Sequence, residues 1–361
     1  MKTRDSQIVK GIAILMMLFH HLFALKKFSL FNITHLIINQ KVTTDISSFF
    51  KVCVFLFVFV SAYGISIQLS KSNCSLKQLE PITFKRIFNM AKRTFALIVF
   101  IFVVGSIFNL PPYSASTSFN SGNFIQKIVY IFFNTIGMCQ VLKVPILNIG
   151  WWYLTLAILL ILLVPVLYKL LDKIGAFSLL MLTIFSYYAF SFDTTSDQLP
   201  KYLLIALLGI ITANYNFFEL LRNFLVNRFL LRFLIIIYLL LYFPIAIYLR
   251  QFINPYHHFI LFTISAFNMV CLCFLFISHI PVISTILFYL GKYSLYMWLF
   301  HTYIMTIWFS KFTYSFENLW LIYFMLILTS FVFSFIFTNL VNFIDRKLVK
   351  LTSCIYKHLH N

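Results

Sequence analysis

The residues in this chain that could do chemistry are histidines and arginines rather than carboxylates. His20 and His21 adjoin each other inside one apolar run, and His301 lies inside another. His279 sits at one end of a third run, with His257 and His258 at its other end, where they read as a wet interfacial pair. Lys10 precedes His21 by three helical turns, ~16 Å, so the two positions share a helix face. A surface cation above a deeper imidazole suits an anionic donor gripped at its charged end while its other end reacts. The same imidazole could instead satisfy an interhelical hydrogen bond. Arg86 and Arg93 are two turns apart on one face. Arginine suits bidentate phosphate recognition, and it equally anchors a helix at the cytoplasmic surface.

The elements that must position these residues are membrane helices. Of 361 residues, 61% are apolar and 10% are charged. Mean hydropathy is +0.93. Soluble domains carry about 25% charged residues, and a soluble fold this poor in charge would expose large apolar patches. The expected class is therefore all-α, a polytopic bundle of about ten transmembrane helices in one domain over residues 1–361. The apolar runs place the spans near 8–25, 49–69, 94–110, 151–171, 177–192, 201–215, 229–249, 259–280, 286–309 and 319–344. A polar stretch, 111–150, contains a weaker apolar run at 124–141 that reads as interfacial or re-entrant. The first run follows Lys2, Arg4 and Lys10 but precedes no small-residue cleavage site, so it is expected to remain as a helix.

Charge orients the bundle. With the N-terminus cytoplasmic, 19 of the 28 Lys and Arg fall in inside segments, so both termini are expected in the cytoplasm. The 193–197 loop, with Asp193 and Asp197, fits outside placement. The net charge of +19 lies mainly between apolar runs, which favours membrane topology over nucleic-acid binding. Cys53, Cys74, Cys139, Cys271, Cys273 and Cys354 have no metal-ligand spacing with histidines, so no metal is expected. No Asp or Glu lies deep in a span, which weighs against an ion-coupled transporter.

Four segments, in order, resemble the acyltransferase-3 family of integral membrane acyltransferases. The stretch 8–22 resembles its first helix, a basic residue followed eleven positions later by His; Lys10 stands where Arg is usual. The stretch 57–65 resembles a Phe-rich Ser-Gly-Tyr segment, with Ala62 in place of the Gly. Trp151-Trp152-Tyr153-Leu154 resembles the aromatic start of the fourth span. The stretch 290–301 resembles a late helix ending in an embedded His.

The resemblance implies an O-acyltransferase of the plasma membrane, in a bacterium the cytoplasmic membrane. It would use cytoplasmic acyl-CoA, typically acetyl-CoA, and a glycan or lipid-linked sugar acceptor. It implies His21 as general base or acyl relay, with His20 as the neighbouring alternative and His301 orienting His21 or lining the acceptor path. Lys10, Arg86 and Arg93 would hold CoA phosphates. Ser61 and Tyr63 are hydroxyl candidates, and Trp151 and Trp152 an aromatic platform or an interfacial belt. A transporter or flippase of a lipid-linked glycan is the competing reading.

Overall fold

A computed structural model describes residues 1–24, 39–71, 76–114, 119, 122–190 and 198–359. Asp193 and Asp197 lie outside the described residues. Thirteen α-helices follow one another: α1 (Thr3–Phe23), α2 (Gln40–Phe49), α3 (Val52–Lys71), α4 (Leu76–Phe108), α5 (Phe124–Ile136), α6 (Trp152–Phe190), α7 (Gln198–Asn214), α8 (Phe217–Leu225), α9 (Phe229–Leu249), α10 (His258–Leu275), α11 (Pro281–Thr302), α12 (Ser310–Tyr314) and α13 (Leu319–Leu359). Lipid offers the backbone no hydrogen-bond partner, so long apolar runs close their bonds within helices.

Among the described residues, eight helical segments are long and apolar enough to cross a membrane, nine if α7 and α8, bent by 64° at their junction, count as one broken span. The longest, Ile149–Ala189, is interrupted at Gly175, whose φ of 77° and ψ of 165° are not helical. As one straight helix its 41 residues would reach roughly 60 Å, twice the hydrocarbon thickness. Its two arms coincide with the separate spans expected at 151–171 and 177–192.

The 124–141 run is α5, a 13-residue helix too short to span. It opens with a capping box between Asn123 and Gln126 and closes on Gly137 in the left-handed region at φ 71°. Asn134 then ties the following loop down. Its Nδ2 donates to Tyr130 O (2.7 Å) and Pro145 O (3.0 Å), and its Oδ1 accepts from Leu147 N (2.9 Å). Phe124, Ile125 and Ile128 stay exposed, the pattern of a helix lying along an apolar boundary.

The centre of the bundle is the pair α1 and α11. A Cβ on Gly11 would lie 2.1 Å from Leu287 O, and one on Gly291 would lie 1.8 Å from Gln7 O. Only glycine permits this approach. Between apolar helices in lipid, such close van der Waals contact is a main source of association. Helix α13 completes the triad: Tyr323 OH donates to Leu15 O (3.0 Å) and Ser334 Oγ to Tyr293 O (2.5 Å). By contrast, α9 has only 11% of its apolar window buried and faces outward.

Side-chain contacts fix which helix ends lie together. Arg4 of α1 donates to Thr285 Oγ1 at the start of α11 (3.4 Å). Arg86 of α4 forks Gln68 of α3 through Nε (3.1 Å) and an Nη (2.6 Å). Lys92 pairs with Asp345 of α13 at 2.8 Å. The start of α1, the first half of α4 and the late part of α13 therefore share one end of the bundle. His20 and Ser47 mark the opposite end.

Candidate active site

Helices α1, α3, α4, α6 and α11 wall a cavity of about 420 Å³. This lies within the 300–1,000 Å³ range of small-molecule sites. Six residues singled out by sequence line it together: Lys10, His21, Ser61, Arg86, Arg93 and Trp152. One face of α1 supplies both Lys10 and His21, as their spacing requires. One face of α4 supplies Arg86, Asn89, Met90 and Arg93.

Charge in the cavity is one-sided. Lys10, Arg86, Arg93 and Lys292 all line it, and no Asp or Glu does. The only ion pair among the described residues, Lys92–Asp345, lies elsewhere. Four cations with no carboxylate are an anion-accepting set.

The deep part is aromatic. Tyr153 packs edge-on to Trp298 with centroids 5.2 Å apart, and Trp152 stacks on Tyr202. Ser61 and Tyr153 lie close enough for their hydroxyls to interact.

At the cavity wall, His21 is paired with fully buried His301. His301 Nδ1 lies 2.6 Å from Trp298 O, and its Nε2 lies 3.0 Å from His21 Nδ1. A carbonyl only accepts, so His301 Nδ1 carries a proton and donates. In the neutral ring its Nε2 is then the acceptor, and His21 Nδ1 must donate to it. That assigns His21 Nε2 as the unprotonated nitrogen. A carbonyl, an intermediary imidazole and a basic imidazole form a chain that fixes both tautomers. Just past His301, α11 widens into a π-turn at Tyr303–Ile307, a local irregularity that often marks functional sites.

The segment before α6 is pinned over this pair. Trp298 Nε1 donates to Gly150 O (3.2 Å), Asn148 Nδ2 to Thr302 Oγ1 (2.5 Å) and Trp308 Nε1 to Pro111 O (2.8 Å).

Four sequence candidates do not line the cavity: His301, which stands behind His21, and Trp151, Tyr63 and His20. Trp151 is 2% exposed and its Nε1 donates to Leu299 O (2.8 Å), so it ties α6 to α11 rather than offering a platform. Tyr63 accepts from the Met1 amino group (3.0 Å) and stacks on Phe59. His20 points away from His21 and donates from Nδ1 to Ser47 O (2.6 Å). One residue of offset on an α-helix is 100°, which separates His20 from His21, and Trp151 ends the 3-10 turn (Ile149–Trp151) before Trp152 opens α6, so those two also diverge. Sequence reading missed Lys292, Asn89, Gln7, Tyr153 and Trp298 as cavity residues. Lys292 carried a signal: it lies on the run that ends in His301, far enough from that run's start to be costly in lipid. No group of three or more His, Cys, Asp or Glu among the described residues could hold a metal.

Fold and site together define a multi-pass membrane protein with a cationic, histidine-ended cavity inside its helix bundle. The chain belongs to the acyltransferase-3 family: the family model described as an acyltransferase domain matches residues 5–339. It is a membrane acyltransferase. Searches of curated proteins and of solved structures returned no match.

Proposed function

We propose that the protein moves an acyl group, acetyl in the simplest case, from cytoplasmic acyl-CoA to a hydroxyl of a cell-surface or lipid-linked glycan. The observation that carries this reading is the cavity with four cations and no carboxylate that also contains an imidazole held in one tautomer. CoA fits that donor set. Its phosphates suit Lys10, Arg86, Arg93 and Lys292, and its uncharged arm suits the aromatic walls beyond them.

The chemistry follows from the tautomer. His21 Nε2 accepts the proton of the acceptor hydroxyl as its oxygen attacks the thioester carbonyl. The C–O bond forms, the C–S bond breaks, and the proton passes from His21 to the departing thiolate. His301 keeps Nδ1 of His21 occupied, so the base nitrogen faces the cavity throughout. A route in which His21 carries the acyl group transiently uses the same nitrogen. Trp152, Tyr153 and Trp298 offer faces for a sugar ring or for the donor arm.

The basic end of the bundle, which holds Arg4, Arg86 and Lys92, is assigned to the cytoplasm by the positive-inside rule, with both termini there. The membrane is the plasma membrane, in a bacterium the cytoplasmic one. A transporter or flippase could use cations for a phosphate but would have no need of the paired imidazoles.

The deciding experiment compares surface glycans from cells with and without the protein by mass spectrometry. The expected result is loss of an acyl mass, that of acetyl in the simplest case. Unchanged glycans, together with no acyl-CoA consumption by the purified protein, would remove the proposal.

A further inference from the structure

A second concentration of positive charge lies at the opposite end of the bundle, and the chemistry above leaves it unused. Lys51 stands at the junction of α2 and α3, Lys201 in the first turn of α7, and Arg250 just past α9. Lys51 lies within electrostatic range of both Lys201 and Arg250, and His20 within range of Lys51 and Arg250. Among the described residues, Asp45 is the carboxylate that acts on Arg250. None of the three cations has an ion-pair partner among the described residues.

Arg250 is held in place. His258 Nε2 lies 3.2 Å from Arg250 O and 3.0 Å from Ile253 O, which clamps the turn on which Arg250 sits. Its Nε is buried with no hydrogen-bond partner. Burial pushes the guanidinium below its ordinary range, a desolvation cost that Asp45 offsets only in part. A buried, unpaired donor of this kind is costly unless a ligand completes it.

The cluster adjoins the reaction cavity. His20 and His21 have ring centroids 5.4 Å apart, and Cys53, two residues after Lys51, lines the cavity. A molecule seated on Lys51, Lys201 and Arg250 therefore lies on the far side of His21 from the donor's cationic mouth.

We infer that Lys51, Lys201 and Arg250 bind a phosphate or pyrophosphate group of the acyl acceptor. The name "acceptor" rests on the acyltransferase reading; the phosphate binding does not. Three cations against one carboxylate match a group carrying about two negative charges and several acceptor oxygens. The phosphate could belong to a lipid carrier in the outer leaflet or to a soluble sugar phosphate.

The test uses the full chain in nanodiscs of zwitterionic lipid, with CoA at saturating concentration to fill the donor mouth. Binding of radiolabelled inorganic pyrophosphate and of farnesyl pyrophosphate is measured for the wild type, Lys51→Glu, Arg250→Gln and Arg93→Ala. Wild type is expected to bind pyrophosphate with CoA present, and Lys51→Glu and Arg250→Gln to weaken it about tenfold or more while CoA binding is unchanged. Arg93→Ala should do the reverse. Lys51 is exposed, so charge reversal there does not threaten folding. Tighter binding of farnesyl pyrophosphate than of the inorganic ion assigns the phosphate to a lipid carrier, and equal binding to a soluble sugar; both support the site. Pyrophosphate binding that vanishes with CoA, or survives Lys51→Glu and Arg250→Gln undiminished, overturns it. No step needs turnover, so failure of the acyltransferase reading would show separately, as absent CoA binding or an active His21→Ala protein.

Discussion

His301 Nε2 accepts from His21 Nδ1, so a residue with no face on the cavity decides which nitrogen of His21 is left free. The pair joins the C-terminal end of α1 to that of α11, with Trp298 O setting the direction of the chain. Replacing His21 with Ala should reduce acyl transfer by about 10²–10⁴, the usual worth of a positioned general base. Radiolabelled acetyl-CoA turnover by purified protein of normal membrane yield is the measurement. Full activity would assign the base elsewhere.

His301→Gln tests positioning rather than contact with substrate. The amide retains an acceptor but cannot reproduce the fixed carbonyl-to-imidazole chain. We expect kcat to fall by about 10²-fold, as for a misplaced catalytic group, with KM for acyl-CoA unchanged. A rise in KM alone would place His301 on the donor path.

Arg93→Ala should raise KM for acyl-CoA by about tenfold or more, the cost of one charge-assisted contact, and leave kcat nearly intact. Arg86→Ala should do less, because Gln68 already occupies the Arg86 fork. The difference should shrink at high salt if it is electrostatic. Equal KM values for Arg93→Ala and wild type would leave Arg93 as a topological anchor.

Much of this site was legible because lipid makes polar residues conspicuous. Lys10, His21, Arg86 and Arg93 stood out as charges or imidazoles in or beside apolar runs, and helical spacing put each pair on one face. Tyr153 and Trp298 were not legible as a pair. They lie far apart in sequence and meet only after α6 packs on α11. Trp151 misled because adjacent aromatic residues look alike in sequence yet point to different sides of a helix, and Tyr63 because its partners, Met1 and Phe59, are fixed only by packing. The span expected at 94–110 began late for the same reason that made its arginines visible. Helix α4 runs from Leu76, and its charged first half faces the cavity and the membrane surface rather than forming a loop.

Gly291→Ala should destabilise the protein strongly. The added Cβ would overlap Gln7 O at 1.8 Å, a backbone atom that cannot rotate away. Overpacking of this kind costs about 1–3 kcal/mol or more. Thermal unfolding in detergent should show a lower midpoint, and activity should fall with it. Lys92→Met is the contrasting case. Its ion pair with Asp345 is partly solvated, with side chains 39% and 32% exposed, and should contribute under about 1 kcal/mol.

The glycine contact between α1 and α11 also bears on how a donor gets in. With backbone against backbone at Gly11 and Gly291, no side chain is available to yield between these helices, so Lys10, His21 and His301 travel as one rigid body. The opposite wall is built differently. Helix α4 has only 28% of its apolar window buried and is fastened near the mouth by Arg86 to Gln68 and Lys92 to Asp345, both near solvent. The wall that carries Arg86 and Arg93 is therefore held by fewer buried contacts than the wall that carries Lys10 and His21.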